Sequence, residues 1–374
     1  MLSVLHLDKM SRTLSSRSVY PLCDESGKPK CRVGNSVMVA EVMADGVHSA
    51  LRVYMRPHCN LRAIYGENYF PNELLVSSGG AASSLVDVVL CEWHDGVTLQ
   101  SKIEELCTSP QKMSNLSRVF ENFAVELLNE PWAHGDLKPE NIILGSGGLH
   151  LIDFDAMYCP GFSSDDCEEI GTRQYQHPQR SCSTFDKRID DYPIALMTTA
   201  LAAMSLDKSV GKGLPESDHL LIMPHLAVAG EDAMLDKIEE LFAESGDARH
   251  YRIARLLRSS SYALPQLKPL LEMRVADVDA SAPLTAEYCN GLWGYAVAGE
   301  FVIPPCYDVA FDFSEGVGLV RVADVWHFID RRGEVVISCG RGSGIKPFCN
   351  GVTRMKCEDG AEVVIFRDGR IEKQ

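Results

Sequence analysis

The 374-residue sequence predicts an α+β fold: a β-rich N-terminal lobe, a helical C-terminal lobe, and a small antiparallel β repeat module at the end of the chain. Three observations predict it. Residues about 20 to 93 alternate apolar and polar positions between turn residues, as half-buried strands do. Residues 113–130 and 190–272 carry helical periodicity or helical tone. Beyond residue 288 a Gly-turn-rich sequence resembles itself at a period in the low thirties, which means stacked supersecondary units.

The elements follow in order. The run CRVGNSVMVAEV (31–42) alternates, meets Asp45-Gly46, and resumes as SALRVYM (49–55), a hairpin signature. A helical or irregular stretch follows, and LVDVVLCEW (85–93) is a further apolar strand. In MSNLSRVFENFAVELLNE (113–130), Leu116, Val119, Phe120, Phe123, Ala124, Leu127 and Leu128 fall on one helical face. Two short strands, NIIL (141–144) and the LHLIDF run (149–154), flank a GSGG turn. The small-residue stretch VADVDASAPLTAE (275–287) reads as a linker. The expected division is an N-terminal extension (1–20), a main domain (21–274), the linker (275–287) and the repeat module (288–374).

A formal charge of −16 argues against binding nucleic acid through a general electrostatic footprint. The 13 cysteines are odd in number, and no two stand at CxxC spacing, so they read as reduced thiols, most of them core fillers. No stretch approaches the roughly 20 apolar residues that span a bilayer. The first 20 residues lack the pattern of a secretory signal. A cytoplasmic protein with neither membrane nor nucleic-acid partners is the expectation.

The chemistry concentrates in His134-Gly-Asp-Leu-Lys-Pro-Glu-Asn141, followed twelve residues later by Asp153-Phe-Asp. Phosphoryl transfer needs an acceptor hydroxyl held in line and charge neutralised on the phosphates. Asp136, on a loop between a helix and a strand, can accept the acceptor's proton. Lys138 can touch the transferred phosphate. Asn141 and Asp153 offer oxygen ligands of the kind magnesium prefers. The 141–154 hairpin should bring these last two to the same end of paired strands.

These residues resemble the protein kinase catalytic loop, H-R-D-x-x-x-x-N, and magnesium loop, D-F-G. The resemblance covers residues about 30 to 270. It implies a two-lobed protein-kinase-like fold that binds ATP and Mg2+. Gly171-Thr-Arg-Gln-Tyr-Gln-His-Pro178 is similar to the end of the kinase activation segment, where the match of Thr172 implies Ser/Thr specificity. Asp191 matches the helix Asp that anchors the catalytic loop.

The departures from the pattern are specific. The lysine of V-A-I-K is Arg52, and arginine keeps the charge in a bulkier, forked shape. Glu67 and Glu73 are the candidates for its carboxylate partner. The glycine-rich loop is reduced to Gly34, which is equally an ordinary turn. The glutamate of A-P-E is Gln179, so the ion pair it makes in kinases should be absent. Gly135 replaces the catalytic-loop arginine that would receive a phosphorylated activation loop, which implies activity independent of phosphorylation there. The strand ending at Glu92 and His94 looks like the hinge that offers backbone groups to adenine, with Cys91 behind it. Gly135 and Asp155 also resemble the H-G-D and I-D-F-D of aminoglycoside and choline kinases.

The C-terminal segment resembles WG repeats through Trp293-Gly294, the VIPPxYD run (302–308) and Phe313-Ser-Glu-Gly. Trp293 and Trp326 stand 33 residues apart, and Phe313-Ser-Glu-Gly-Val recurs as Phe348-Cys-Asn-Gly-Val. Such modules are usually binding surfaces, so a protein substrate or partner is expected there. The combined expectation is an ATP- and Mg-dependent serine/threonine phosphotransferase. Two other readings stay open: a pseudokinase scaffold, favoured by Arg52 and Gln179, and a small-molecule kinase, favoured by Gly135 and Asp155.

Overall fold

A computed structural model of the chain describes residue 14 and residues 18–34, 36–76, 84–212, 221–276 and 282–374. Most of the expected N-terminal extension, 1–20, and part of the expected linker lie outside the described residues. The described residues form a mixed α+β structure with a strongly curled half-barrel sheet and C-terminal antiparallel strands. The chain divides into two compact units. One comprises Met1–Leu99, Pro131–Gly171 and Arg180–Lys187; the other comprises Gln100–Glu130, Thr172–Gln179 and Arg188–Gln374.

The first unit is built on a six-stranded antiparallel sheet. Its strands are β1 (Val19–Pro21), β2 (Cys31–Val33), β3 (Val37–Ala44), β4 (Val47–Tyr54), β5 (Tyr69–Val76) and β6 (Ser84–Glu92). The path runs β1-β3-β4-β6-β5, and β2 also pairs with β3. Strand β3 alternates strictly, with Met38, Ala40, Val42 and Ala44 buried. The β3–β4 hairpin turns where the sequence places it, at Asp45-Gly46. Both turn residues have positive φ, 50° and 80°, as a two-residue turn matching strand twist requires.

Between β4 and β6 the sequence suggests helix or irregular chain. A short helix α1 (Leu61–Tyr65) is indeed there, but most of the stretch up to Val76 is strand β5. Pro71 and Asn72 interrupt the β5–β6 register, and that break hides the alternation. A second sheet of three strands joins β7 (Val97–Thr98), β8 (Ile142–Gly145) and β9 (Gly148–Leu151).

The second unit contains α2 (Leu99–Leu106) from its second residue on, then α3 (Pro110–Asn129), α4 (Asp191–Leu206), α5 (Lys208–Gly211), α6 (Pro224–Ala229), α7 (Ala233–Ser245), α8 (Ala248–Leu256) and α9 (Leu267–Glu272). Helix α4 is apolar all round because it is buried all round. Helix α3 starts at Pro110, three residues ahead of the expected run, and its buried stripe is Met113, Leu116, Ser117, Phe120, Glu121 and Ala124, while Val119 is exposed.

Glu121 is buried because it belongs to an ion cluster. Its Oε1 lies 3.0 Å from His250 Nε2, its Oε2 accepts from Arg249 Nη1 at 2.8 Å, and His250 Nδ1 lies 2.6 Å from Asp247. Burial alone would lower the His250 pKa, but Asp247 and Glu121 outweigh it and hold the imidazole up to about 9. Burial raises Glu121, yet His250 and Arg249 bring its carboxyl down to about 2. The histidine's contribution to stability is therefore complete below its unfolded value near 6.5 and is lost as pH rises through 9. The carboxylate's contribution is complete above about 4.5 and is lost as pH falls toward 2. Unfolding experiments should find a plateau between those limits. From pH 6.5 to above 9 the loss should reach about 3 kcal/mol, and His250→Gln should flatten that alkaline limb.

The remaining strands lie in the second unit as two antiparallel sheets. The first is β10 (Thr285–Cys289), β11 (Leu292–Val297) and β12 (Glu300–Tyr307). The second is β13 (Val309–Ala310), β14 (Gly318–Val322), β15 (Val325–Ile329), β16 (Val335–Ser343), β17 (Val352–Cys357), β18 (Glu362–Phe366) and β19 (Ile371–Lys373). The repeat is visible as geometry: Ser314 bridges Val317 as Cys349 bridges Val352, with Glu315 and Asn350 both at φ 52°.

The repeat strands share a core with the helices. Ala243 and Ala248 pack in one cluster with Tyr295, Val302, Tyr307 and Val322. Arg252 pairs with Asp308 at 2.8 Å. His327, where the first repeat copy has Gly294, donates from Nε2 to the Ala243 carbonyl at the end of α7, at 2.8 Å.

No helix among the described residues is long and apolar enough to cross a membrane.

Candidate phosphate and metal site

The candidate site lies within the first unit. Pro139 opens a single 3₁₀ turn, Pro139–Asn141, and strand β8 follows it directly. Ile142 of β8 pairs with Leu151 of β9, and Ile152 N donates to Asn141 O at 2.9 Å. Asn141 and Asp153 therefore leave the same end of the β8–β9 hairpin, as the sequence suggests.

Asn141 is buried, and its Nδ2 donates to the backbone oxygen of Asp136 at 2.9 Å and to Asp136 Oδ2 at 3.1 Å. Lys138 Nζ lies 3.4 Å from the same Oδ2. One side-chain amide thus closes the 136–141 loop and brings Asp136, Lys138 and Asn141 together. His134, fully buried, supports the loop from beneath. Its Nε2 donates to Ile152 O at 2.9 Å, and its Nδ1 accepts from Asp136 N at 3.3 Å.

Gly135 has a physical reason to be glycine. Its φ is 80°, and a Cβ there would stand 2.0 Å from the backbone oxygen of Ala156. An arginine could not occupy this position without moving the 154–156 turn. Gly135→Ala should cost about 3 kcal/mol or more, combining left-handed strain with a backbone clash. Denaturant unfolding checks it, and a loss below about 1 kcal/mol would contradict the close approach.

Asp153 is a non-glycine residue in the left-handed region, φ 69°, a strain that collects at functional sites. Its side chain is 43% exposed, while that of Arg52, which it meets, is 9% exposed. Arg52 Nη2 donates to Asp153 Oδ1 at 2.6 Å and to Asp155 Oδ2 at 2.5 Å, and its Nε donates to Tyr54 OH at 3.2 Å. The sequence suggests Glu67 or Glu73 as the carboxylate partner of Arg52; the structure corrects this to Asp153 and Asp155. Glu73 instead accepts from the Leu14 amide, because its stretch is strand β5 rather than a helix facing Arg52.

Asp155 is the centre of a network with little signal in the sequence. Its Oδ1 accepts from Tyr54 OH at 2.6 Å and from Tyr65 OH at 2.7 Å. Burial raises both phenols well above their usual range, against the pull of Arg52 and helped by Asp155, so both stay protonated donors. Only Tyr54 left a trace in the sequence, since it follows Arg52 by two on a strand and shares its face.

The segment after this turn is tied to the residues just ahead of α1. Asn60 Nδ2 donates to Asp166 O at 2.6 Å, and Cys59 N donates to Glu168 Oε1 at 2.5 Å. Ser163 and Asp166 form a reciprocal capping box.

The other expected site residues lie further along the sheet. Gly34 donates to Val37 O at 2.9 Å and forms the β2–β3 turn. Glu92 ends β6 opposite Ser49. The His94 ring stacks on His150 at 4.5 Å, and burial with that neighbour holds its pKa below the ordinary value. Burial pushes the Cys91 thiol up to about 11, the behaviour of a core filler.

No group of three or more His, Cys, Asp or Glu among the described residues could hold a metal by itself. The fit to a magnesium ion rests instead on one amide oxygen and one carboxylate. Asn141 commits its nitrogen to Asp136, leaving Oδ1 as its ligand end. Arg52 takes Oδ1 of Asp153, and among the described residues no hydrogen bond falls on its Oδ2. Two hard oxygens at one strand end, completed by phosphate oxygens and water, suit magnesium.

Compared with known proteins, residues 298–326 match the model of the WG containing repeat family. The match starts after Trp293-Gly294 and covers β12 to β14 with the turns around them. No curated protein sequence matches the chain.

Proposed function

We propose that this protein is an ATP- and Mg-dependent phosphotransferase of protein-kinase-like type, acting on serine or threonine hydroxyls. The observation that carries the reading is the loop closed by Asn141. It gathers Asp136 and Lys138 beside a hairpin end from which Asp153 also leaves. The six-stranded antiparallel sheet, with the cation Arg52 on β4, is the kind of β-rich lobe the kinase resemblance implies and supports the reading.

In this reading Asp136 accepts the proton of the acceptor hydroxyl, and its 17% exposure leaves it open to a substrate. Lys138 balances charge on the transferred group. Asn141 and Asp153 would hold magnesium, which neutralises phosphate charge when bound. Arg52 fixes Asp153 and supplies the cation of the missing lysine, while the chain from Glu92 to His94 offers backbone groups to the base. The β repeats would present the protein substrate.

A second reading has its own observation. Arg52 already spends Nη2 on two carboxylates, which favours a scaffold that binds nucleotide without transferring phosphate. Purified protein incubated with γ-labelled ATP, magnesium, a basic protein and a panel of small alcohols separates the readings. Label on protein supports the first. Nucleotide binding without transfer supports the second, and label on small alcohols alone points to a small-molecule kinase.

A further inference from the structure

Outside the candidate site, one buried cation has no anion. Arg180 is 3% exposed, and no carboxylate pairs with it among the described residues. Its Nη1 donates to Ser181 O at 2.5 Å and lies 3.5 Å from Thr184 O. Its Nε and Nη2 are buried without a hydrogen-bond partner. The surroundings are apolar: the guanidinium lies 5.4 Å from the Phe185 ring centre, and Phe162 and Tyr158 pack on that ring. A buried charge is ordinarily paired, so this one marks a place where negative charge is expected to form.

The groups able to supply that charge are two thiols. Cys182 Sγ donates to the backbone oxygen of Cys167 at 3.2 Å, which places the two cysteines side by side. Both are partly exposed, so a small oxidant can reach them. Burial, and then the Cys182 side chain, push the Cys167 thiol up to about 11, while Arg180 acts in the opposite direction and favours its thiolate. Cys167 is therefore slow to react at neutral pH and gains reactivity as pH rises.

We propose that Cys167 and Cys182 are a redox pair that closes to a disulfide under peroxide, with Arg180 stabilising the attacking thiolate. The Cys167 thiolate attacks peroxide, forming an S–O bond as the O–O bond breaks and hydroxide leaves. The Cys182 thiol loses its proton, and its sulfur attacks the sulfenic acid. The S–S bond forms, the S–O bond breaks, and water leaves. Two thiols give up two electrons and two protons, and peroxide becomes two waters. The product ties the 164–166 turn to the 182–184 turn.

The full-length protein treated with hydrogen peroxide at pH 8.5 and digested without reduction should yield the Cys182 peptide linked to the Cys167 peptide. Dithiothreitol should release it. Cys167→Ser and Cys182→Ser should each abolish the link, and because Cys159 can share a peptide with Cys167, the first variant also decides which sulfur is joined. Arg180→Met, which removes the charge and keeps the volume, should slow disulfide formation about tenfold, equivalent to one unit of thiolate pKa. A Cys182 peptide that stays unlinked, or a link that survives in Cys167→Ser, overturns the pair. An unchanged rate in Arg180→Met overturns the role of the guanidinium.

Discussion

Asp136→Asn should reduce phosphoryl transfer about a thousandfold, within the range that a positioned general base supplies, while nucleotide binding changes little. The substitution keeps the loop. Asn141 Nδ2 still meets the backbone oxygen of residue 136, and the new amide oxygen can take the place of Oδ2. The Lys138 contact at 3.4 Å is partly exposed, so losing its charge partner costs the fold little. Asn141→Ala makes the contrast: it removes both bonds that close 136–141 and the amide oxygen proposed for the metal, so binding and transfer should fall together. The rates are read from label transfer, and binding from nucleotide titration at saturating magnesium. A variant Asp136→Asn that transfers label as fast as the parent would eliminate Asp136 as the base.

The sequence and the structure agree best where chemistry is local. His134 to Asn141 is one loop, so its residue types and spacing define both its conformation and its contacts, and the β8–β9 turn that follows is encoded by Gly145 and Gly148 themselves. The Asp45-Gly46 hairpin is legible for the same reason: positive φ at both turn residues is a demand on residue type. The partners of Arg52 are not legible, because they lie more than 100 residues away and depend on how β4 meets the 153–156 turn. Strand β5 is missed because its register with β6 breaks between Phe70 and Leu74. The buried stripe of α3 is misread for a different cause. Periodicity counts Glu121 as solvent-facing, whereas Arg249 and His250 make burial tolerable for it. The packing of the repeat strands against α7 and α8 rests on His327 and Arg252, each ordinary in its own segment.

Arg52 carries the second large effect. The residue has to satisfy two carboxylates and a phenol at once, and a forked guanidinium does so with two nitrogens. Arg52→Met leaves Asp155, 9% exposed, facing the Tyr54 and Tyr65 hydroxyls with no cation. Breaking a buried pair from one side costs about 3–5 kcal/mol, and chemical denaturation should register it. Arg52→Lys keeps the charge but forfeits the Nε bond to Tyr54, so its loss should stay near 1 kcal/mol. The double variant Arg52→Met/Asp155→Leu should recover part of the deficit, since removing both charges removes the desolvation penalty with them, while the Tyr54 and Tyr65 hydroxyls lose their acceptor. A general packing defect at position 52 would instead leave the double variant as unstable as the single one. The same three proteins bear on activity. If the hold of Arg52 on Asp153 positions a metal ligand, transfer falls in both single variants; if it locks that ligand away, Arg52→Lys transfers phosphate faster than the parent.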